Sequence, residues 1–443
     1  MGFNICSVDT KPLYFRNNPF RAGKGFCKGT HRLCSPDETY EKIVKSTFDC
    51  GLTRHADITG LDCIGLPVTL AIRPNSMTLA VSSGKGLTQM AALVSGYMEA
   101  YELYHCERYP FPTLLASYEE IKQKYLAPHP HQFPMKKNAL FHEKWPMRWV
   151  IGWDLVTQGE IALPLMAVSL DYRLLQNSPF FELNPFERTS NGVSSGNHFL
   201  EAVCSGIYEV IERDAIYCHS YAQPGYFPPK VNLGTIHDDP IASVLDKIKR
   251  GVAAVELFDC SVDTGVHVFE AFIYDDQVRG QGVGMGYGAH LDPETAMLRA
   301  ITEALQGRLV YISGARDDIF SSNFQLFKKS DDEKSIAQIK NKEAVIDPRS
   351  YVDQSMKTFE EEIHVLIEKL AAVGVAHVVV FNLAFDHSPF PVVKVVIPGL
   401  EGYPTPTCVA GTRAQKFLRS KIQPESCLDS PLSFWHRPAG ELK

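Results

Sequence analysis

The sequence predicts an α+β fold, and three observations carry that prediction. Strand-like and helix-like stretches follow one another without a steady βαβ rhythm. Apolar strand-like segments come in pairs joined by short turn formers, as in antiparallel hairpins. Long helical segments carry glutamates on an apolar background: SGYMEAYE at 95–102 and SGIYEVIE at 205–212 repeat one pattern, and RAITEALQ at 299–306 is a looser third copy.

The elements are read in chain order. Residues 1–50 are rich in Gly, Pro, Lys and Arg, show little periodicity, and are expected to be irregular. PVTLAIRP (67–74) and MTLAVSSG (77–84) read as strands around Asn75 and Ser76. From Thr88 to Arg108 the apolar positions Met90, Leu93, Val94, Tyr97, Met98, Tyr101 and Tyr104 recur at helical spacing, and Pro110 and Pro112 stop the helix. Residues 111–147 form a connecting excursion. RWVIGWDLV (148–156) and EIALPLMAVSL (160–170) are strands around Gln158-Gly159, and a second helix runs from about Phe199 to Tyr221. VAAVELFDC (252–260) and VHVFEAFIY (266–274) make an antiparallel pair through Asp263-Thr264-Gly265. GVGMGYG (282–288) leads into a third helix from Pro293, a residue suited to a first helical turn. A charged exposed insertion is expected near 325–348, then a helix near 357–373, strands near 376–384 and 391–397, and a polar tail over 404–443.

Composition excludes several classes. The 443 residues are 45% hydrophobic and 21% charged, an ordinary globular balance, with 44 Lys+Arg against 51 Asp+Glu and a net charge of −7. That leaves no basic excess for nucleic acid. No secretory h-region opens the chain, and no apolar run reaches the roughly 18 residues of a membrane span. The eleven cysteines stand singly, without a CxxC pair or zinc frame, which points to a reducing cytoplasm.

On a helix, residues three apart share a face, so Glu99 projects with Glu102 and Glu209 with Glu212. Like charges so placed on a mostly buried helix call for a positive partner. No lysine lies inside these helices, so a divalent cation with oxygen ligands, magnesium, is the natural one, and it implies phosphate chemistry. The bland alternative, that one ExxE pair is a solvated face, weakens when the pattern recurs. Asn197 and Glu201 extend the second helix's set. There is no GxxxxGK[ST] loop. GVGMGYG fails GxGxxG and reads better as a closely packed strand. SSGKGLTQ (82–89) is a more useful phosphate candidate, with glycines for close approach, Lys85 for charge, and a helix N-terminus behind it. His129 and His131 lack a third ligand and read as surface loop; His105, Cys204 and Cys218 read as packing.

Several ordered stretches together resemble the YcaO-domain family from about Gly51 to Gly402: ADITGLDCIGLPV (56–68), RPNSMTLAVSSGKGLT (73–88), Ser95-x3-Glu99-x2-Glu102, the Asn197–Arg213 motif, HLDPETAMLRAITEALQGRLVYISGARDD (290–318) and VVKVVIPGLEGY (392–403). The resemblance implies a YcaO-like fold over 51–403 with ATP and Mg2+ as cofactors. It implies Glu99, Glu102, Glu201, Glu209 and Glu212 as metal and phosphate ligands, with Lys85, Ser95, Asn197, Arg213, Glu303, Gln306 and Arg316 completing the nucleotide pocket. The reaction it implies is ATP-dependent activation of a peptide amide; no base is identifiable from spacing. A side-chain Cys, Ser or Thr nucleophile gives an azoline, external sulfide a thioamide, an amine an amidine. This chain ends SFWHRPAGELK, without the PxPxP tail frequent among cyclodehydratases, and shows no fused leader-binding domain, which tilts the expectation towards thioamide formation. A peptide or protein substrate, a TfuA-like or leader-peptide-binding partner and a homodimer are the partners implied, with neither nucleic acid nor membrane. Two rival classes are a prenyl-diphosphate enzyme, disfavoured by the many strands, and a nucleotide-binding regulatory or scaffold subunit without turnover.

Overall fold

The computed structural model describes residues 12–171, 173, 184–222, 226–237, 240–275, 283–319, 329–403, 405 and 407–421. Strands β1 (Arg54–Asp57), β2 (Val68–Ile72) and β3 (Val81–Lys85) form an antiparallel sheet, with Val68 opposite Lys85 and Ile72 opposite Val81. Thr88 caps helix α1 (Gln89–Arg108) by accepting from the Ala91 N–H. Strands β4 (Met147–Asp154), β5 (Gly159–Pro164) and β6 (Val193–Ser195) follow, then α2 (Phe199–Ser220), capped by His198. Next come β7 (Ala253–Asp259), β8 (His267–Asp275), β9 (Gly284–His290), α3 (Pro293–Ser313), α4 (Phe359–Ala372), β10 (Val379–Asn382) and β11 (Val392–Val396).

Among the described residues these strands make two larger sheets. One runs β5-β4-β10-β11-β6, with Leu114–Ala116 added on β4. The other runs β9-β8-β7, then Lys230–Val231 and Ala344–Ile346. The predicted α+β class holds, and all but one of the pairings are antiparallel. Helix α2 packs through Leu200, Val203, Ile207 and Ile211 into the core shared with β11, β8 and α4. Helix α1 packs against Trp149, Ile161 and Phe381 of the first sheet.

The alternating glycines of GVGMGYG have a steric purpose. A Cβ on Gly286 would stand 2.1 Å from the Ala304 nitrogen, and one on Gly288 2.2 Å from the Ala296 carbonyl oxygen. Only glycine lets α3 lie directly on β9. The same holds where β3 meets α1: a Cβ on Gly84 would sit 2.1 Å from the Ala92 oxygen. In the expected phosphate stretch at 82–89 the residues up to Lys85 are therefore strand, and its first glycine serves helix packing.

Three expectations need correction. The first fifty residues are not irregular where described: they form short strands Leu13–Phe15, Asn18–Phe20, Phe26–Cys27 and His31–Arg32, with Phe15 and Phe20 packed on Phe199 of α2, and helix Pro36–Ile43, which packs on α1. Lys24 pairs with Glu362, and the Ala22 N–H donates to Glu360. The charged stretch near 325–348 is not wholly an exposed insertion, because Ile339 is buried and Ala344–Ile346 pairs with Lys230–Val231; residues 325–328 lie outside the described set. The apolar run at 160–170 stops as strand at Pro164 and turns into a short helix, Leu165–Val168. The tail beyond 421 lies outside the described residues. Among the described residues no helix is long and apolar enough to cross a membrane.

Candidate nucleotide and metal site

Helices α1 and α2 face each other across a cavity of about 980 Å3, and α3 closes its third side. Ten of the twelve residues expected at the site line it: Lys85, Ser95, Glu99, Glu102, Glu209, Glu212, Arg213, Glu303, Gln306 and Arg316. The two repeats are thus opposite walls, and the third, looser copy supplies Glu303 and Gln306.

Each carboxylate is held differently. Glu99 accepts from the Ser83 N–H at 3.0 Å. Glu102 accepts from both the Ser195 N–H (2.8 Å) and its hydroxyl (2.7 Å), which fixes α1 to β6. Glu212 is buried, with the Arg213 guanidinium 3.9 Å from one oxygen and its other oxygen without a hydrogen bond among the described residues. Glu303 is the neutralised member, paired with Lys85 at 2.6 Å. Gln306 donates to the Ser83 carbonyl at 2.7 Å and to its hydroxyl at 2.8 Å. Arg316 pairs with Asp318.

Burial dominates the electrostatics. It pushes Glu102 up to about 8, Ser195 only partly offsetting it, and Glu212 up to about 7 against the pull of Arg213. Glu99 and Glu209 are raised by the same cause. For Glu303 burial is again the largest influence, but Lys85 and Arg213 together outweigh it and hold its carboxyl low. Excess negative charge on two facing buried walls, and a carboxylate oxygen with no donor among the described residues, fit a bound cation. The donor set is all oxygen, which suits magnesium.

Asn197 and Glu201 are not brought to the cavity wall. Glu201 is buried one layer behind it, accepting from the Leu33 and Asn197 N–H groups, with Arg32 at 3.6 Å. Asn197 donates to the Thr39 hydroxyl at 2.9 Å, while its side-chain oxygen is buried without a partner among the described residues. Both residues bind the N-terminal segment to α2. The positive partners of the glutamates come from other strands and from α2 and α3 themselves: Arg213, Lys85, Arg299 and Arg32. Sequence reasoning missed Arg32, Ser83, Ser195, Arg299, Tyr287 and Tyr403, all of which line the cavity. Arg299, four residues before Glu303 on α3, was legible by helical spacing; Arg32 carried no such signal. The Arg213 guanidinium lies over two of these rings, 5.8 Å from the centroid of Tyr287 and 5.0 Å from that of Tyr403.

The histidines assigned to loop and packing behave so. His129 pairs with Glu143, and buried His105 bridges the Tyr101 carbonyl and Ser388. Cys204 and Cys218 are buried. A second polar cluster, His31, His290 and Glu362, has metal-like composition. Lys24 fills its cation place, touching Glu362 and lying 3.0 Å from the His31 Nδ1.

A model of the YcaO cyclodehydratase family, described as ATP- and Mg2+-binding, matches residues 83–401. The chain belongs to the YcaO family. A protein from Methanothermobacter thermautotrophicus is 34% identical over 87% of this chain and 98% of its own length. Another, from Rhizobium leguminosarum bv. trifolii and encoded in the tfuA 3′ region, is 31% identical over 86% of this chain and 91% of its own. Among solved structures, YcaO from Methanopyrus kandleri bound with AMPPCP and Mg2+ aligns with a TM-score of 0.68 at 23% identity, over 86% of this chain and 94% of that one. A heterocyclase in complex with substrate and cofactor aligns with a TM-score of 0.71 at 21% identity; 88% of this YcaO chain is covered, spanning 55% of that larger protein. At these identities the structural matches establish the shared fold.

Proposed function

We propose that this YcaO protein uses ATP and Mg2+ to activate a backbone amide of a peptide or protein, and that hydrosulfide is the nucleophile, so that the product is a thioamide. The observation that carries the ATP–magnesium part is the convergence of Glu99, Glu102, Glu209 and Glu212 on one cavity, with a buried oxygen on Glu212 that has no partner among the described residues. Those four residues would hold the metal. Lys85, Arg213, Arg299 and Arg316 offer the cavity its positive charge, suited to phosphate oxygens. Bound ATP with Mg2+ supplies a phosphoryl group that converts an amide oxygen, a poor leaving group, into a good one.

The residues of the chain do the positioning. Ser195 fixes the Glu102 carboxylate, Ser83 links Glu99 to Gln306, and Arg213 is clamped between aromatic rings so that its charge has a defined place. A preorganised array of this kind pays no reorganisation when charge develops on a transferring phosphoryl group. The tfuA-adjacent gene of the Rhizobium relative favours a TfuA-like partner and the thioamide product. The family's cyclodehydratase description favours the second reading, azoline formation on a Cys, Ser or Thr of a precursor peptide.

Glu209→Gln tests the site. It should abolish Mg2+-dependent ATP binding by calorimetry while leaving the fold intact; unchanged affinity would remove the glutamate walls from the proposal. Mass spectrometry of modified peptides then separates oxygen-to-sulfur exchange from loss of water. A chain that binds Mg2+·ATP but never turns it over with peptide and partner would be a scaffold.

A further inference from the structure

Glu270 is the buried carboxyl that the reading above leaves without a task. It stands in the middle of β8, with Phe258 of β7 opposite on one side and Tyr287 of β9 opposite on the other. Directly opposed residues of an antiparallel pair hold their Cβ atoms about 4.5–5.5 Å apart on one face. No cation pairs with Glu270 among the described residues; its titratable neighbours are Cys260, whose thiol donates at 3.8 Å, and Tyr287, with Tyr403 and Arg213 beyond. Burial pushes its carboxyl up to about 7, against the opposing pull of Cys260 and Tyr287.

Tyr287 connects this carboxyl to the cavity. It lines the cavity, is 4% exposed, and its hydroxyl makes no hydrogen bond of normal geometry among the described residues. The Arg213 guanidinium stands 5.8 Å from its ring centroid, so this phenol borders the cation proposed above to meet the phosphates. A buried hydroxyl on a cavity-lining side chain, directly cross-strand from a carboxyl with no cation among the described residues, is suited to a proton relay.

We propose that Tyr287 and Glu270 form a proton-accepting couple open to the cavity, an inference that rests on reading the cavity as an amide-activating site. As the sulfur or oxygen of the nucleophile bonds to the amide carbon, the proton on its S–H or O–H passes to the Tyr287 oxygen. The Tyr287 proton moves to a Glu270 carboxylate oxygen in the same event, so the phenol is restored. The C=O pair moves to the amide oxygen, which takes the phosphoryl group. Glu270 later returns its proton by the same path to the departing phosphate. Tyr287 is the catalytic residue of the couple; Glu270, acting through it, is the positioning residue and proton store.

Two measurements on the purified chain test this. In an infrared titration, wild type minus Glu270→Gln should isolate one carboxyl that titrates near neutral pH. Tyr287→Phe should move that titration upward, because the carboxylate loses the neighbouring phenol O–H that favours its charged form. No such carboxyl, or one indifferent to Tyr287→Phe, overturns the couple. In the second, Mg2+·ATP turnover is followed with sodium sulfide and a synthetic glycine-rich peptide. Both variants should keep Mg2+·ATP affinity within about twofold, lose roughly a hundredfold or more in turnover, and lose the acid limb of the pH profile. Glu270→Asp should restore part of the turnover, which a purely structural role would not require. A persistent acid limb in Glu270→Gln overturns the couple. Absence of turnover in wild type would instead refute the amide-activating reading for that peptide, while the infrared result still decides whether the couple exists.

Discussion

Glu102 and Glu212 show how single buried carboxylates tie stability and the proposed cation binding to pH. Both are raised in the folded state, so stability is fully present below the ordinary carboxylate range and is lost as pH climbs towards about 8 for Glu102 and about 7 for Glu212. The metal-free protein should therefore unfold more easily at pH 8 than at pH 5.5. Glu212→Gln should recover at least about 1 kcal/mol at pH 8, since a shift of one unit is worth 1.36 kcal/mol. Thermal unfolding without metal, for wild type and variant, checks both. Magnesium must displace the same protons, so its affinity should weaken by roughly tenfold per pH unit and per titrating carboxylate below about pH 7. Calorimetric Mg2+ titrations between pH 6 and 8.5 would show it, and Glu102→Gln should flatten the dependence. A pH-independent affinity would mean the carboxylates are not the ligands. These residues were legible because i, i+3 spacing on an apolar helix is a one-dimensional pattern. The pairing of Lys85 with Glu303 was not, because the two stand 218 residues apart.

At the scale of elements, the glycine alternation of β9 was readable as close packing from the sequence, and its contact with α3 gives it a consequence. Gly286→Ala places a Cβ 2.1 Å from the Ala304 nitrogen, so α3 must move off the strand. Overpacking of this kind costs about 1–3 kcal/mol, and it would shift Glu303 and Gln306 with the helix. Thermal unfolding and ATP titration of Gly286→Ala should both show the loss; normal nucleotide affinity in a destabilised variant would mean α3 contributes packing but no binding geometry. The N-terminal elements escaped sequence reading for an opposite reason. Strands of two or three residues are too short to show a period, and the expected irregularity followed from that. What orders them is long-range: Lys24 reaches Glu362 across 338 residues, and Leu33 reaches Glu201 across 168.

For the whole molecule, the family's motifs all fall between 51 and 403, and the family model matches 83–401, but the forces that hold the site do not respect those limits. At one end, Lys24 is the cation of a cluster in which Glu362 is fully buried and also accepts from Tyr208 of α2. At the other, Asp214 of α2 is fully buried and its charge is met by Arg413 at 2.9–3.0 Å, with the Glu401 N–H on the same carboxylate. Both pairs grip α2 or its packing partner, and α2 carries Glu209, Glu212 and Arg213. Removing one member of a buried pair costs about 3–5 kcal/mol, because the remaining charge is left dry and unpaired. A chain cut to 51–403 loses Lys24 and Arg413 together, a penalty comparable to the 5–15 kcal/mol that keeps a typical domain folded. That chain should be largely unfolded or aggregated, with no Mg2+-dependent ATP binding, whereas 12–421 should behave as the full chain. Adding back either end alone should recover about half of the lost stability. Equal unfolding temperatures for 51–403 and 12–421 would show that burial of apolar surface alone holds α2, and that these ion pairs are neutral to its stability.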